Sequence, residues 1–181
     1  MRLVILGSGG YGKTVAEQLG YEINFLDDSI PEHPLLSFTY FIASTTNPTH
    51  ANTSPEEVEK DEGVEFIPAF GNNAFRLEWI ERIVAAGGQL ATLIHPTAYI
   101  SPTATVAPGT VILPHAIINT DTVIERGCII NLGAIVDHGC IIEEGVHICV
   151  GAIVKGENRI ERLTKIEAGE VIEPRRWPIT T

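Results

Sequence analysis

The sequence is short of cysteine, of positive charge and of long apolar runs. Three cysteines, Cys128, Cys140 and Cys149, occur in 181 residues. An odd number with no Cys-x-x-Cys pair argues against a disulfide framework and against a structural zinc site. Lys and Arg together number 12 against 23 Asp and Glu, a net charge of −11, and no basic cluster is longer than Arg175-Arg176. Such a chain is poorly suited to nucleic acid or to an anionic membrane surface. No apolar run approaches the roughly 20 residues of a membrane span. Met1-Arg2-Leu3-Val4-Ile5 runs straight into a strand pattern without the layout of a signal peptide. A cytoplasmic protein is expected. The apolar fraction of 44% suffices for a core, and the charged fraction of 19% is too low for a disordered chain. The length suits one compact domain or two small ones.

From Ile94 onward a six-residue period takes over. The residues at that spacing are Ile94, Ile100, Val106, Ile112, Ile118, Ile124, Ile130, Val136, Ile142, Ile148, Val154, Ile160, Ile166 and Ile172, all Ile or Val without a gap. Two residues earlier the side chain is usually small, as at Ala98, Ala104, Thr110, Ala116, Thr122, Cys128, Ala134, Cys140, Ala152 and Thr164. Three earlier Gly recurs, and four earlier Pro recurs at 96, 102, 108 and 114. A helix needs an apolar period near ~3.6 and an open strand needs ~2. Six suits a short flat strand and a corner, repeated three times per coil of a triangular prism, the hexapeptide parallel β-helix. The branched residue points inward, the small one shares its strand face, and Gly and Pro serve the corner. The stretch makes about four coils, roughly 20 Å tall. Cys128 and Cys140 fall on small interior positions, where packing is their expected role.

The first half reads as a small α/β unit. A strand over 2–6 leads into Gly7-Ser8-Gly9-Gly10-Tyr11-Gly12, a helix starting at Lys13, a second strand over 21–26 and then Asp27-Asp28. Strand, Gly-rich turn, helix, strand and acid is a dinucleotide-type layout. Gly lets backbone approach a phosphate, the helix N-terminus offers free N–H groups, and Asp27 or Asp28 could bond a ribose hydroxyl. A purely structural tight turn would also use these glycines. Further strands are expected over 38–43, 64–70 and 89–93, helices over 54–60 and 74–86, and a loop over 45–55. The expected organisation is a small Rossmann-like α/β domain over residues 1–92, a β-helix over 93–174 and a C-terminal tail over 175–181. The tail is placed to cap the open prism end.

The segments GSGGYGKTVAE, FLDDS, AFGNNAFR, LIHPTAYISPTATVAPG and NLGAIVDHGCIIEEGVHICVGAIVKG occur in an order and spacing that resembles the sialic-acid O-acetyltransferase and UDP-4-amino-sugar N-acetyltransferase family of hexapeptide-repeat proteins. The resemblance implies an α/β nucleotide-binding-type domain followed by a left-handed parallel β-helix, assembled as a homotrimer. It implies an acetyl-CoA-dependent acetyltransferase acting on a nucleotide-sugar, with N-acetylation favoured over O-acetylation. His138 matches the family's general base, and neutral imidazole can take the proton that an amine or hydroxyl must lose. Asn131 matches an Asn that hydrogen-bonds near the base, and His147 a second active-site His. Gly156 matches a Gly whose N–H faces the thioester oxygen. Gly9, Gly10, Tyr11, Asp27 and Asp28 fall on nucleotide-sugar contacts, with Tyr11 standing where His is frequent. Gly71, Asn72 and Arg76 match a Gly–Asp–Asn…Arg stretch, with Asn72 in place of its Asp.

Two further departures bear on chemistry. Gly139 follows His138 where the family usually has an acid that orients the imidazole, and strand alternation would turn Asp137 away from the ring. The family continues past the last coil with a Gly- and Ala-rich segment that holds CoA, whereas residues 156–166 here are charged. Arg159, Arg162, Lys165, Arg175 and Arg176 are expected to form an exposed cationic edge. Asp121, Glu125, Glu143 and Glu144 are expected on a solvated face, and His95 and His115 read as structural. Ile117, Ile129, Ile135 and Ile141 are expected to be exposed on flat prism faces. Three other functions fit parts of the pattern. They are a non-catalytic sugar-nucleotide scaffold, a metal hydratase on the same prism and an NAD-dependent oxidoreductase, the last disfavoured because the α/β unit is too short for two mononucleotide halves.

Overall fold

Ala91 and Thr92 separate two compact units of different construction. The computed structural model describes residues 2–7, 9–18, 40–43 and 64–179. The expected strand over 21–26, the helix over 54–60, the loop over 45–55 and Asp27 and Asp28 lie outside the described residues.

In the first unit, β1 (Arg2–Leu6), β2 (Tyr40–Ala43), β3 (Val64–Pro68) and β4 (Gln89–Leu90) form one sheet in the order β2-β1-β3-β4. β1 runs parallel to β3 and antiparallel to β2, so the sheet is mixed. The first helix, α1 (Gly10–Gln18), starts three residues before the expected Lys13, inside the Gly-rich segment. Gly7 makes the turn into it with φ +114°, and a Cβ there would lie 2.9 Å from the Ala69 carbonyl and 3.1 Å from the Phe70 ring. No other residue fits both the backbone and the space. The second helix, α2 (Asn73–Ala85), is capped by the Asn72 side chain, which accepts from the Phe75 N–H at 2.9 Å. It buries Leu77, Trp79, Ile80 and Ile83 at helical spacing, and Trp79 and Ile83 share a core with Leu6 and Phe66.

The second unit is a left-handed parallel β-helix of fourteen two-residue strands, β5 (Leu93–Ile94) to β18 (Val171–Ile172). Strands 18 residues apart pair in register. Ile94, Ile112, Ile130, Ile148 and Ile166 stack in one sheet. Ile100, Ile118, Val136, Val154 and Ile172 stack in the second. Val106, Ile124, Ile142 and Ile160 stack in the third. From Ile112 onward every one of these side chains is buried, each worth about 1.5–3 kcal/mol relative to exposure.

The small position two residues earlier does more than fill space. Thr110 and Thr122 donate across the corner to the carbonyls of Glu125 and Asp137 at 3.1 and 2.7 Å. The Cys128 and Cys140 thiols reach the carbonyls of Glu143 and Lys155 in the same way. Asn158 continues the series with an amide, bonding the carbonyls of Lys155 and Glu173 at 2.7 and 2.9 Å. Every such bond to the next coil spans 15 residues. All three cysteines are free and buried, and burial raises the thiols of Cys140 and Cys149 above their ordinary pKa.

Corners adopt one conformation. At every sixth position from Gly109 to Arg175 φ is positive, including the non-Gly residues His115, Asp121, Glu157, Leu163 and Arg175. The edge of β16 (Arg159–Ile160) is covered by the tail. The Arg159 N–H donates to the Trp177 carbonyl at 2.8 Å, and the Trp177 N–H donates to Asn158 Oδ1 at 2.9 Å.

Two surface expectations are corrected. Ile129 is fully buried rather than exposed, stacked in register between Val111 and His147, which are buried too. Ile117 is exposed, and Ile135 and Ile141 are half-buried. The acidic and basic positions are not separate faces. Arg159 pairs with Glu143, Arg162 and Arg126 with Glu144, Lys165 with Glu167, and Arg175 with Glu157.

Candidate active site

His138 sits on the corner between β12 (Ile135–Val136) and β13 (Ile141–Ile142), with its side chain 58% exposed. Its ring is held from two directions. Nδ1 lies 3.0 Å from Asp137 Oδ1, and the same oxygen accepts the His138 backbone N–H at 2.7 Å. Asn119, one coil earlier, donates from Nδ2 to that oxygen at 3.0 Å. Below the ring is Gly156, one coil later. A Cβ on Gly156 would stand 2.5 Å from His138 Cε1 and 2.9 Å from Nε2, so the imidazole occupies the space a side chain would need.

This corrects the expectation that Asp137 points away. Alternation of side chains holds along a strand, but Asp137 lies just past the end of β12, where the chain turns. There it folds its carboxylate back over its own successor's N–H, an Asx-type contact. Partial burial raises the Asp137 pKa, yet bonds from the His138 N–H, the imidazole and Asn119 together hold it below the ordinary carboxylate value. Asp137 is therefore ionised at neutral pH.

Asn131 does not join this corner. It occupies the preceding corner, after β11 (Ile129–Ile130), where its Nδ2 lies 3.0 Å from His147 Nε2. Within the chain its hydrogen-bond partner is the second histidine. His147 begins the strand stacked on β11 and is buried. Within one chain the predicted residues thus fall into two groups on two corners, His138 with Gly156 and Asn131 with His147. Among the described residues no group of three His, Cys, Asp or Glu side chains is placed to hold a metal ion.

In the first unit, Gly9 and Gly10 open α1, and a Cβ on either would meet nothing within 4 Å. Tyr11 has a half-buried ring and a buried hydroxyl, and burial raises that phenol while the Arg76 guanidinium partly offsets the effect. Arg76 is itself buried, donating to the Phe70 carbonyl at 2.9 Å and to Asn73 Oδ1 at 3.0 Å. Asn72 is spent on capping α2. Arg76 and Asn72 therefore shape the 70–73 turn. Sequence reading missed Asn119, although its distance of 18 residues from Asp137, one full coil, was the signal.

A β-helix carrying a held, solvent-facing histidine at its corner defines a hexapeptide-type acyltransferase architecture. The PglD N-terminal domain family matches residues 2–83. The acetyltransferase domain of PglB from Neisseria gonorrhoeae FA1090 superposes with a TM-score of 0.72 at 34% identity, covering 93% of this chain and 80% of that one. The same domain in complex with acetyl coenzyme A gives 0.71 at the same identity and coverage. PerB from Caulobacter crescentus, in complex with CoA and GDP-perosamine, superposes with a TM-score of 0.69 at 26% identity over 98% of this chain and 91% of that one. No curated protein sequence matches. The chain belongs to the family of hexapeptide-repeat sugar acetyltransferases represented by the PglB domain, and its enzyme class is acyltransferase.

Proposed function

We propose that this chain moves an acetyl group from acetyl-CoA to the amine of a nucleotide-linked amino sugar, with His138 as general base. The observation that carries the reading is the His138 corner, an exposed imidazole with Nδ1 fixed on Asp137 and its remaining nitrogen unused by that contact. The amine nitrogen attacks the thioester carbonyl, a C–N bond forms and the C–S bond breaks. His138 takes the proton from nitrogen and returns it to the departing thiolate. The Gly156 N–H is the candidate donor to the carbonyl oxygen as it gains charge. The relatives solved with acetyl coenzyme A and with GDP-perosamine support this donor and acceptor class.

The first unit would hold the nucleotide-sugar at the start of α1. Gly7 is required there by packing, but Gly9 and Gly10 are not. Open backbone at a helix N-terminus is what a phosphate needs. Asp27 and Asp28 are proposed to meet the ribose, and Tyr11 the sugar. Asn131 and His147 would serve the His138 corner of a neighbouring copy in a homotrimer, since they lie on a different corner within one chain. The proposed location is the cytoplasm.

The test is release of CoA thiol from acetyl-CoA with a panel of GDP-, UDP- and dTDP-linked amino sugars and their hydroxyl counterparts. Release with an amino sugar only is expected, and His138→Ala should lower kcat about 100-fold or more. Release with no acceptor would support the scaffold reading instead, and an active His138→Ala enzyme would remove the histidine from its role.

A further inference from the structure

We infer that Asp137, locked in place by Asn119, is the positioning residue that sets the tautomer and aim of His138. The inference rests on the reading of His138 as the base and goes beyond it by assigning the carboxylate. Three bonds converge on one oxygen. Asp137 Oδ1 receives the His138 backbone N–H at 2.7 Å, faces His138 Nδ1 at 3.0 Å and receives Asn119 Nδ2 at 3.0 Å. An anionic oxygen opposite Nδ1 favours the tautomer that carries its hydrogen there, which leaves Nε2 with the lone pair. A carboxylate free to rotate would do this poorly. The backbone bond and the Asn119 amide come from two different coils and remove that freedom, while Gly156 closes the third side of the ring.

Among the described residues no other carboxylate bonds the His138 ring. The position after the histidine is Gly139, which has no side chain to offer. Glu157, one coil after Gly139, lies within electrostatic reach of the imidazole, but its carboxylate is committed to Arg175. Asp121, one coil before Gly139, is exposed and makes no bond to the ring, and Cys140 is buried as a thiol. The bonds that hold Asp137 also keep it ionised, consistent with an acceptor that does not take the proton itself.

The experiment is Asp137→Asn, Asp137→Ala and Asn119→Ala, each assayed for kcat and KM, with His138→Ala as reference. Imidazole nitrogen NMR shifts are recorded for the wild type and Asp137→Ala. Asp137→Asn keeps the turn and removes the charge. It should lower kcat at least about 10-fold with KM within about 2-fold. Asn119→Ala should lower kcat in the same way by less. The NMR signature of hydrogen on Nδ1 should dominate in the wild type and weaken in Asp137→Ala, whether or not an acceptor is in hand. An inactive His138→Ala beside an Asp137→Asn enzyme with wild-type kcat would overturn the inference alone. An active His138→Ala would overturn the underlying reading as well. Wild-type shifts that place the hydrogen on Nε2 would overturn the tautomer assignment directly.

Discussion

His138 is useful only where its ring is held, and the tightest hold comes from a residue with no side chain. The Gly156 backbone lies outside the left-handed region, so alanine fits its dihedral angles, but the added Cβ would sit 2.5 Å from Cε1 of the ring. The imidazole must then move by about 1 Å, a displacement that can cost on the order of 100-fold in rate. Gly156→Ala is expected to lower kcat about 10- to 100-fold with little change in thermal stability. Alanine retains the backbone N–H, so the loss would be the ring's displacement rather than a missing donor. Kinetics within 2-fold of wild type would show that the ring relocates freely.

Single corners illustrate how elements share one geometry. His115 holds φ +60° at an exposed corner where most coils place Gly, and Gly133 holds φ +62° with open space around it. For an L-residue this region costs roughly 1 kcal/mol or more. His115→Gly should raise unfolding free energy by about 0.5–1 kcal/mol, and Gly133→Ala should lower it by a similar amount or more. Denaturant unfolding measures both, and an unchanged Gly133→Ala midpoint would argue against the left-handed corner. Coil-to-coil charge pairing makes a second prediction. Glu143 is held below its ordinary pKa first by the Arg162 N–H at 2.8 Å and then by Arg159, with burial opposing. A carboxyl depressed in the folded state contributes stability above its unfolded pKa and loses it as pH falls through the folded value. Stability should therefore decline below about pH 4, and Glu143→Gln should flatten that decline in thermal scans taken across the acid range.

The whole prism depends on how its strand edges end. A parallel stack leaves unpaired backbone on its last layer, which invites association between chains. Here the tail lies along the β16 edge of that layer. It bonds Arg159 through Trp177 and satisfies the buried Asn158, while the Arg175 N–H reaches the Gly156 carbonyl at 3.2 Å. Deleting residues 175–181 removes these three bonds, each worth about 0.5–1.5 kcal/mol, and exposes an edge. The truncated chain is expected to melt several degrees lower and to scatter light on heating. A truncated chain with unchanged melting and no scattering would show that the tail is dispensable.

The unbroken Ile/Val series at six-residue spacing determined the β-helix by itself, because no helix or open sheet keeps one face apolar at that period. The same 18-residue coil also held the neighbours of the base, Gly156 for His138 and Asn119 for Asp137, although neither contact was read from it. Segments with a strong local signal were also legible, such as α2 after its Asn72 cap. What only the tertiary structure decided lies at the corners and the end. Strand alternation gave the wrong direction for Asp137 because that rule lapses where the backbone turns. Coil stacking sets Asn131 and His147 on a different corner from His138 within one chain, where the two bond each other. Nothing local predicted that a buried Asn158 would be satisfied by a backbone N–H arriving from 19 residues further on. Local pattern encodes which face of a strand is apolar, whereas contacts across coils depend on how the chain closes on itself.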